Sequence, residues 1–144
     1  MRSKQYKAYK EAEKFKGLWE WKGSDHNPKI LKWFADVGHS WVVDDETAWC
    51  AAFVGAMLEK VDLESTRALN ARSYLKWGEE IAPEDVREGD IVVFKRGNSS
   101  WQGHVAFYVY ETDTHIFCLG GNQSNQVNIS KYPKSKFLGF RRGS

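Results

Sequence analysis

The sequence predicts an α+β domain in which N-terminal helices pack on a C-terminal antiparallel β-sheet. Up to about residue 78, apolar residues recur at helical spacing between capping residues and glycines. Beyond Pro83 the chain breaks into short β-rich runs separated by Gly, Asn, Ser, Thr and Asp. Helices followed by hairpin-linked strands give segregated layers rather than alternating βαβ units. A length of 144 residues with 42% hydrophobic content is enough for one core and too little for two, so residues 1–144 are expected to form a single domain.

The elements follow in order. From about Lys4 to Phe15, Ala8, Ala12 and Phe15 share one helical face, and Gly17 ends the pattern. Asn27 and Pro28 read as N-cap and first helical position of a second helix, with Ile30, Leu31, Phe34 and Val37 as its apolar stripe and Gly38 as its stop. Asp44 or Asp45 is the expected cap of a third helix that buries Cys50, Phe53, Val54, Met57 and Leu58. Ser65 is the expected cap of a fourth, running to about Trp77 with Leu69, Tyr74 and Leu75 packed inward and Gly78 at its end. Strands are expected over 90–95, 104–110, 115–119, 127–130 and 137–141.

Bulk properties remove several function classes. The formal charge of +2 is too small to mark a nucleic-acid binder, and the basic run among Arg2, Lys4, Lys7, Lys10, Lys14 and Lys16 fits a solvated helix face. There is no apolar run of spanning length and no secretory signal pattern at the start, so neither membrane insertion nor signal-driven export is expected. Cys50 and Cys118 are the only cysteines, which suggests free thiols rather than a disulfide framework.

The chemistry is carried by three positions. Cys50 lies just behind two capping candidates, where the free N–H groups of a helix start favour thiolate over thiol. Taken alone, it reads first as a small core residue, as most unpaired cysteines are. His104 follows the polar, glycine-bounded loop 97–103 and opens a strand on which it shares a face with Ala106 and Tyr108, opposite Val105, Phe107 and Val109. Asn122 follows Gly120 and Gly121 at the end of the next strand, where its side-chain oxygen could fix the imidazole's tautomer. The order Cys, His, Asn is that of a thiol hydrolase, and no metal or organic cofactor is needed for it.

Other readings are weaker. A zinc site from Cys50, His104 and Cys118 lacks closely spaced ligands, and Cys118 alternates inside a strand like a core residue. His26, His39 and His115 stand beside turn residues; Trp49 and Tyr108 fit an ordinary core as well as a groove, while Trp101, in its polar loop, favours the groove.

In this light the chain resembles the small, single-domain CHAP-like peptidoglycan hydrolases of phages and prophages, in the NlpC/P60 superfamily. The motifs are His26-Asn27-Pro28, residues 37–41, Asp45-Glu46-Thr47, residues 49–54 around Cys50, residues 70–78, 89–94, 103–108 around His104, 119–125 around Asn122, and 138–142. The resemblance implies a papain-like fold, Cys50 as nucleophile, His104 as general base and later acid, and Asn122 as the residue orienting the ring. Gln123 is its reserve for that third role and, with Trp49 and Trp101, a substrate-binding candidate. Ala48 stands where such proteins usually carry Pro, and Gly120 where many CHAP domains carry an acidic residue.

The implied partner is bacterial peptidoglycan, met as a monomer and without a cofactor. No metal is expected; some CHAP domains bind calcium, and only if chelation abolished activity would Asp44, Asp45 and Glu46 be the first residues to examine. The implied reaction is cleavage of an amide in the stem peptide, as endopeptidase or, with the same triad, as N-acetylmuramoyl-L-alanine amidase. An enzyme of this kind is made in the host cytoplasm without a signal peptide and reaches the periplasm through a holin-type lesion. A non-catalytic wall-binding module and a cytosolic thiol acyltransferase or protease are the readings from other classes.

Overall fold

A computed structural model describes residues 3–21, 26–41 and 49–144. Helix α1 spans Lys4–Glu13, and its cap is Ser3, whose hydroxyl accepts from the Tyr6 N–H at 3.1 Å. Helix α2 spans Pro28–Asp36 behind Asn27, whose side chain accepts from Lys29 N–H at 3.0 Å, as the Asn-Pro pair predicts. Helix α3 spans Cys50–Lys60, and nine of its eleven residues, Cys50 to Leu58, are buried. A helix apolar all round is a central one. It packs against α1, α2 and the sheet.

Two expectations for the helices change. The N-cap of α3 is Trp49, with no side-chain cap bond, while Asp44 and Asp45 lie outside the described residues. The fourth helix is only a 3₁₀ segment over Ala71–Lys76. Ser65 does not cap it: its N–H and hydroxyl both donate to Glu59 Oε2 at 2.9 Å, and Arg67 takes a positive φ of 56°. A left-handed residue so early interrupts any α-helix started at Ser65.

Six strands follow: β1 Glu79–Ile81, β2 Ile91–Lys95, β3 Gly103–Glu111, β4 His115–Gln123, β5 Gln126–Pro133 and β6 Phe137–Arg142. They form one antiparallel sheet in the order β1-β6-β2-β3-β4-β5. The short β1 has no counterpart among the runs read from sequence. Strands β2 to β5 are successive hairpins, while β6 returns to lie between β1 and β2.

Alternation along the strands divides the core. Ile91, Val93, Val105, Phe107 and Leu119 join the helices in the larger cluster. Val92, Phe94, Ala106, Tyr108, Cys118 and Phe140 form a smaller one on the opposite face. At the end of β6, Arg142 pairs with Asp90 through Nε and Nη2, both at 2.7 Å, and Asp90 is almost fully buried.

Candidate active site

Cys50 is the first residue of α3 and is 4% exposed. The helix's hydrogen-bond ladder opens with Phe53 N–H donating to the Trp49 carbonyl at 2.9 Å. The N–H groups of Cys50, Ala51 and Ala52 therefore precede it and have no intrahelical acceptor. Trp49 anchors this start. Its ring is fully buried, its Nε1 donates to Glu20 Oε1 at 2.6 Å, and it rests directly on Gly121 of β4. A Cβ on Gly121 would lie 2.5 Å from Trp49 Cζ3, so only glycine lets the helix start settle this closely on the sheet.

His104 stands near the start of β3, on the Ala106 and Tyr108 side of the strand. Although it follows a polar surface loop, its ring is only 2% exposed. Tyr132 of β5 covers it, with ring centroids 5.0 Å apart, and Phe94 stacks on Tyr132 at 4.8 Å. His104 Nε2 lies 2.8 Å from Gln123 Oε1. Its Nδ1 is buried and makes no complete hydrogen bond.

Burial disfavours the Cys50 thiolate, yet the thiol's pKa falls below its ordinary value. The charge and hydrogen bonding of the His104 imidazole, the Val105 backbone N–H and the charge of Arg96 together outweigh desolvation. Cys118 shows the reverse case: buried without such neighbours, its thiol is pushed far up and stays protonated. The two buried thiols are thus shifted in opposite directions.

Cys50 opens onto a cleft of about 130 Å³ whose lining includes Asn70, Arg96, Trp101, Gln102 and Gly103. Trp101 is 69% exposed there. Arg72 ties the loop carrying it to the 3₁₀ segment, donating to the carbonyls of Gln102 at 2.7 Å and Ser99 at 2.8 Å. Arg96 is the one charged side chain among the described residues of this lining. Two larger clefts, of about 490 and 540 Å³, lie near Arg87 and Arg142 and contain no cysteine or histidine, so size does not locate the chemistry.

Residues 21–142 match the NlpC/P60 family. The chain belongs to that family. NlpC/P60 proteins are generally peptidoglycan-related hydrolases. Among solved structures, the chain is similar to the P60 domain of a Mycobacterium avium subspecies paratuberculosis antigen, at 17% identity and TM-score 0.59 over 96% of this chain and 93% of that one. It is also similar to an NLP/P60-family, lipoprotein-like protein of Staphylococcus aureus, at 16% identity and TM-score 0.60 over 98% of this chain and 42% of that one. RipD of Mycobacterium tuberculosis, described as a non-catalytic NlpC/p60 domain protein adapted to peptidoglycan binding, matches at 12% identity and TM-score 0.53 over 97% of this chain and 96% of that one. At such identities these likenesses concern the fold. No curated protein matches the sequence significantly.

Within this NlpC/P60 fold, the sequence-predicted residues divide. Cys50 and His104 meet. Asn122 does not reach the ring: it sits at φ +60° in the irregular stretch of β4 between Gly120 and Gln123, and Gln123 makes the contact instead. Gln123 is accordingly a buried imidazole partner rather than a groove residue, and Trp49 is a buried support rather than a substrate platform. Trp101 alone of those three lines the cleft.

Tyr108 is mostly buried and donates to Glu111 at 2.9 Å. His39 donates from Nε2 to the Arg67 carbonyl at 2.6 Å, and His115 Nδ1 lies 2.8 Å from Thr114 Oγ1, both away from Cys50. Among the described residues no three His, Cys, Asp or Glu side chains gather as a metal site, and Asp44, Asp45 and Glu46 lie outside those residues. No helix among the described residues is long and apolar enough to cross a membrane.

Sequence reasoning missed Arg96, Tyr132 and Arg72. Arg96 stands at the mouth of the loop before His104, which was a usable signal. Tyr132 reaches His104 only because β5 folds back on β4, and no local pattern reveals that.

Proposed function

We propose that this chain is a thiol hydrolase that cleaves an amide bond in the peptide stem of peptidoglycan. The observation that carries this reading is the Cys50 thiol, held at the start of α3 and biased toward thiolate by a His104 whose far nitrogen is bound by Gln123.

Cys50 Sγ attacks the carbonyl carbon, and the oxyanion forms beside the unladdered N–H groups that open α3. His104 Nδ1 takes the thiol proton and passes it to the departing amine, leaving a thioester on Cys50. A water molecule, deprotonated by His104, then attacks that carbonyl and restores the thiol. Catalytic hydrogen bonds are often incomplete without substrate, which accommodates the unsatisfied Nδ1. Trp101 offers an exposed flat face in the cleft, and Arg96 a cation for a substrate carboxylate.

The endopeptidase reading draws support from Arg96 in the cleft, a cation that could meet a carboxylate of the stem; an N-acetylmuramoyl-L-alanine amidase would use the same Cys50, His104 and Gln123. The narrower reading as a phage or prophage lysis enzyme, acting in the periplasm after holin-type release, is supported by the ordered motifs of the sequence. A wall-binding module without catalysis, as RipD is described, is the reading to be tested against it.

The test is digestion of purified walls followed by mass spectrometry of the released fragments. New termini within the stem support the endopeptidase, a free lactyl carboxylate with an L-alanine terminus supports the amidase, and wall binding without new termini refutes hydrolysis.

A further inference from the structure

The proton on a histidine ring is ordinarily assigned rather than seen, but here two backbone carbonyls decide where it sits. Asn128 of β5 donates from Nδ2 to the Gln123 carbonyl at 3.2 Å, and a carbonyl can only accept. That fixes the Asn128 amide, whose Oδ1 must then be an acceptor; Ser130 Oγ also donates to it at 2.8 Å. Gln123 Nε2 faces this Oδ1 at 2.9 Å and the Asn128 carbonyl at 2.8 Å, two acceptors for its two protons.

The Gln123 oxygen is therefore turned the other way, toward His104 Nε2 at 2.8 Å and the Cys118 thiol at 3.6 Å. Burial keeps Cys118 protonated, so its S–H donates. All four hydrogen-bonding positions of the Gln123 amide are filled. Turning the amide over would set Oε1 against two acceptor oxygens, the Asn128 carbonyl and Oδ1, and would lose both of those contacts.

The geometry points to Asn128 as a positioning residue that, through the amide of Gln123, holds neutral His104 with its proton on Nε2 and leaves Nδ1 bare. Asn128 touches neither thiol nor imidazole. Its importance to catalysis rests on the Cys50–His104 reading above, because only a bare Nδ1 can take the Cys50 proton.

The test reads the ring directly. In Cys50→Ala protein with ¹⁵N-labelled histidine, observed where the ring is neutral, two-bond ¹H–¹⁵N correlations should place the His104 proton on Nε2. In Cys50→Ala/Asn128→Ala a share of Nδ1–H should appear, and Cys50→Ala/Asn128→Asp, which keeps an acceptor for Gln123, should remove it again. With Cys50 present, Asn128→Ala should lower kcat with little change in KM and slow alkylation of the thiol, while Asn128→Asp retains more of both.

Nδ1–H as the main form in Cys50→Ala protein would overturn the inference without any change at Asn128. An Asn128→Ala variant that keeps the Nε2–H form would overturn it too. The spectra need no activity, so the predicted tautomers together with intact walls after digestion would support the Asn128 device while rejecting the hydrolase reading.

Discussion

Gln123 Oε1 lies 2.8 Å from His104 Nε2, while Asn122, one residue earlier, points elsewhere from a left-handed backbone. Gln123→Ala is therefore expected to lower kcat/KM by at least about tenfold, on the order of 1.4 kcal/mol of transition-state stabilisation. Asn122→Ala should stay near the parent value, and His104→Ala should fall furthest. Steady-state hydrolysis by variants with matching circular dichroism checks the order; a greater loss in Asn122→Ala than in Gln123→Ala would reverse the assignment.

The two thiols should separate chemically. The depressed pKa of Cys50 means that its alkylation begins at a lower pH than for an ordinary cysteine, whereas Cys118, pushed far up and buried, should stay unlabelled in the folded protein. His104→Ala removes the leading stabiliser of the thiolate and leaves burial to raise the pKa, so the alkylation profile should move to higher pH. Peptide mapping after pulses of iodoacetamide across a pH series measures both. Cys50→Ala should abolish hydrolysis and keep the fold.

Trp49 and Trp101 should fail differently. Trp49 is fully buried against Trp33, with ring centroids 5.8 Å apart, and its truncation to Ala should cost about 3–5 kcal/mol of stability. Trp101→Ala, at an exposed position, should leave the melting temperature almost unchanged and raise KM. Denaturant melts paired with kinetics separate the two.

Much of the fold was readable because its signals are local. Asn27-Pro28 announces α2, Gly38 its end, and the alternation in 104–110 gives both the strand and the face on which His104 lies. What could not be read depends on contacts distant in sequence or on competing local bonds. Ser65 has the composition of a cap but is claimed by Glu59, and the choice of Gln123 over Asn122 turns on an irregularity in β4 whose register only its pairing with β5 reveals. Cys50 and His104 were legible as chemistry; Tyr132 and Asn128, brought in by β5, were not.

Gly120→Ala should injure the site without touching a reacting group. A Cβ there would lie 2.7 Å from Gln123 Oε1 and 2.9 Å from Ala106 Cβ, so the amide must shift away from His104. Overpacking of this kind typically costs about 1–3 kcal/mol. We expect a lower melting temperature together with a loss of kcat comparable to that of Gln123→Ala, and a fully active variant would show that the amide's position is not critical.

Arg96→Gln should raise KM by about two- to fivefold, the size of an exposed ion pair worth under ~1 kcal/mol. The effect should shrink as salt is added and vanish for a substrate whose carboxylates are amidated. A KM independent of salt and of amidation would remove Arg96 from substrate recognition.

Strand β6, which follows the other five in the chain, takes the place between β1 and β2 rather than an edge. During synthesis those two earlier strands must wait, each with an unmet row of backbone donors and acceptors, until residues 137–142 arrive to join them. The hairpins β2 to β5 can zip up in sequence order, but β1 cannot enter the sheet before β6 does. A nascent or prematurely terminated chain thus exposes sticky strand edges, and translation must pass residue 142 before the Arg142–Asp90 latch can close.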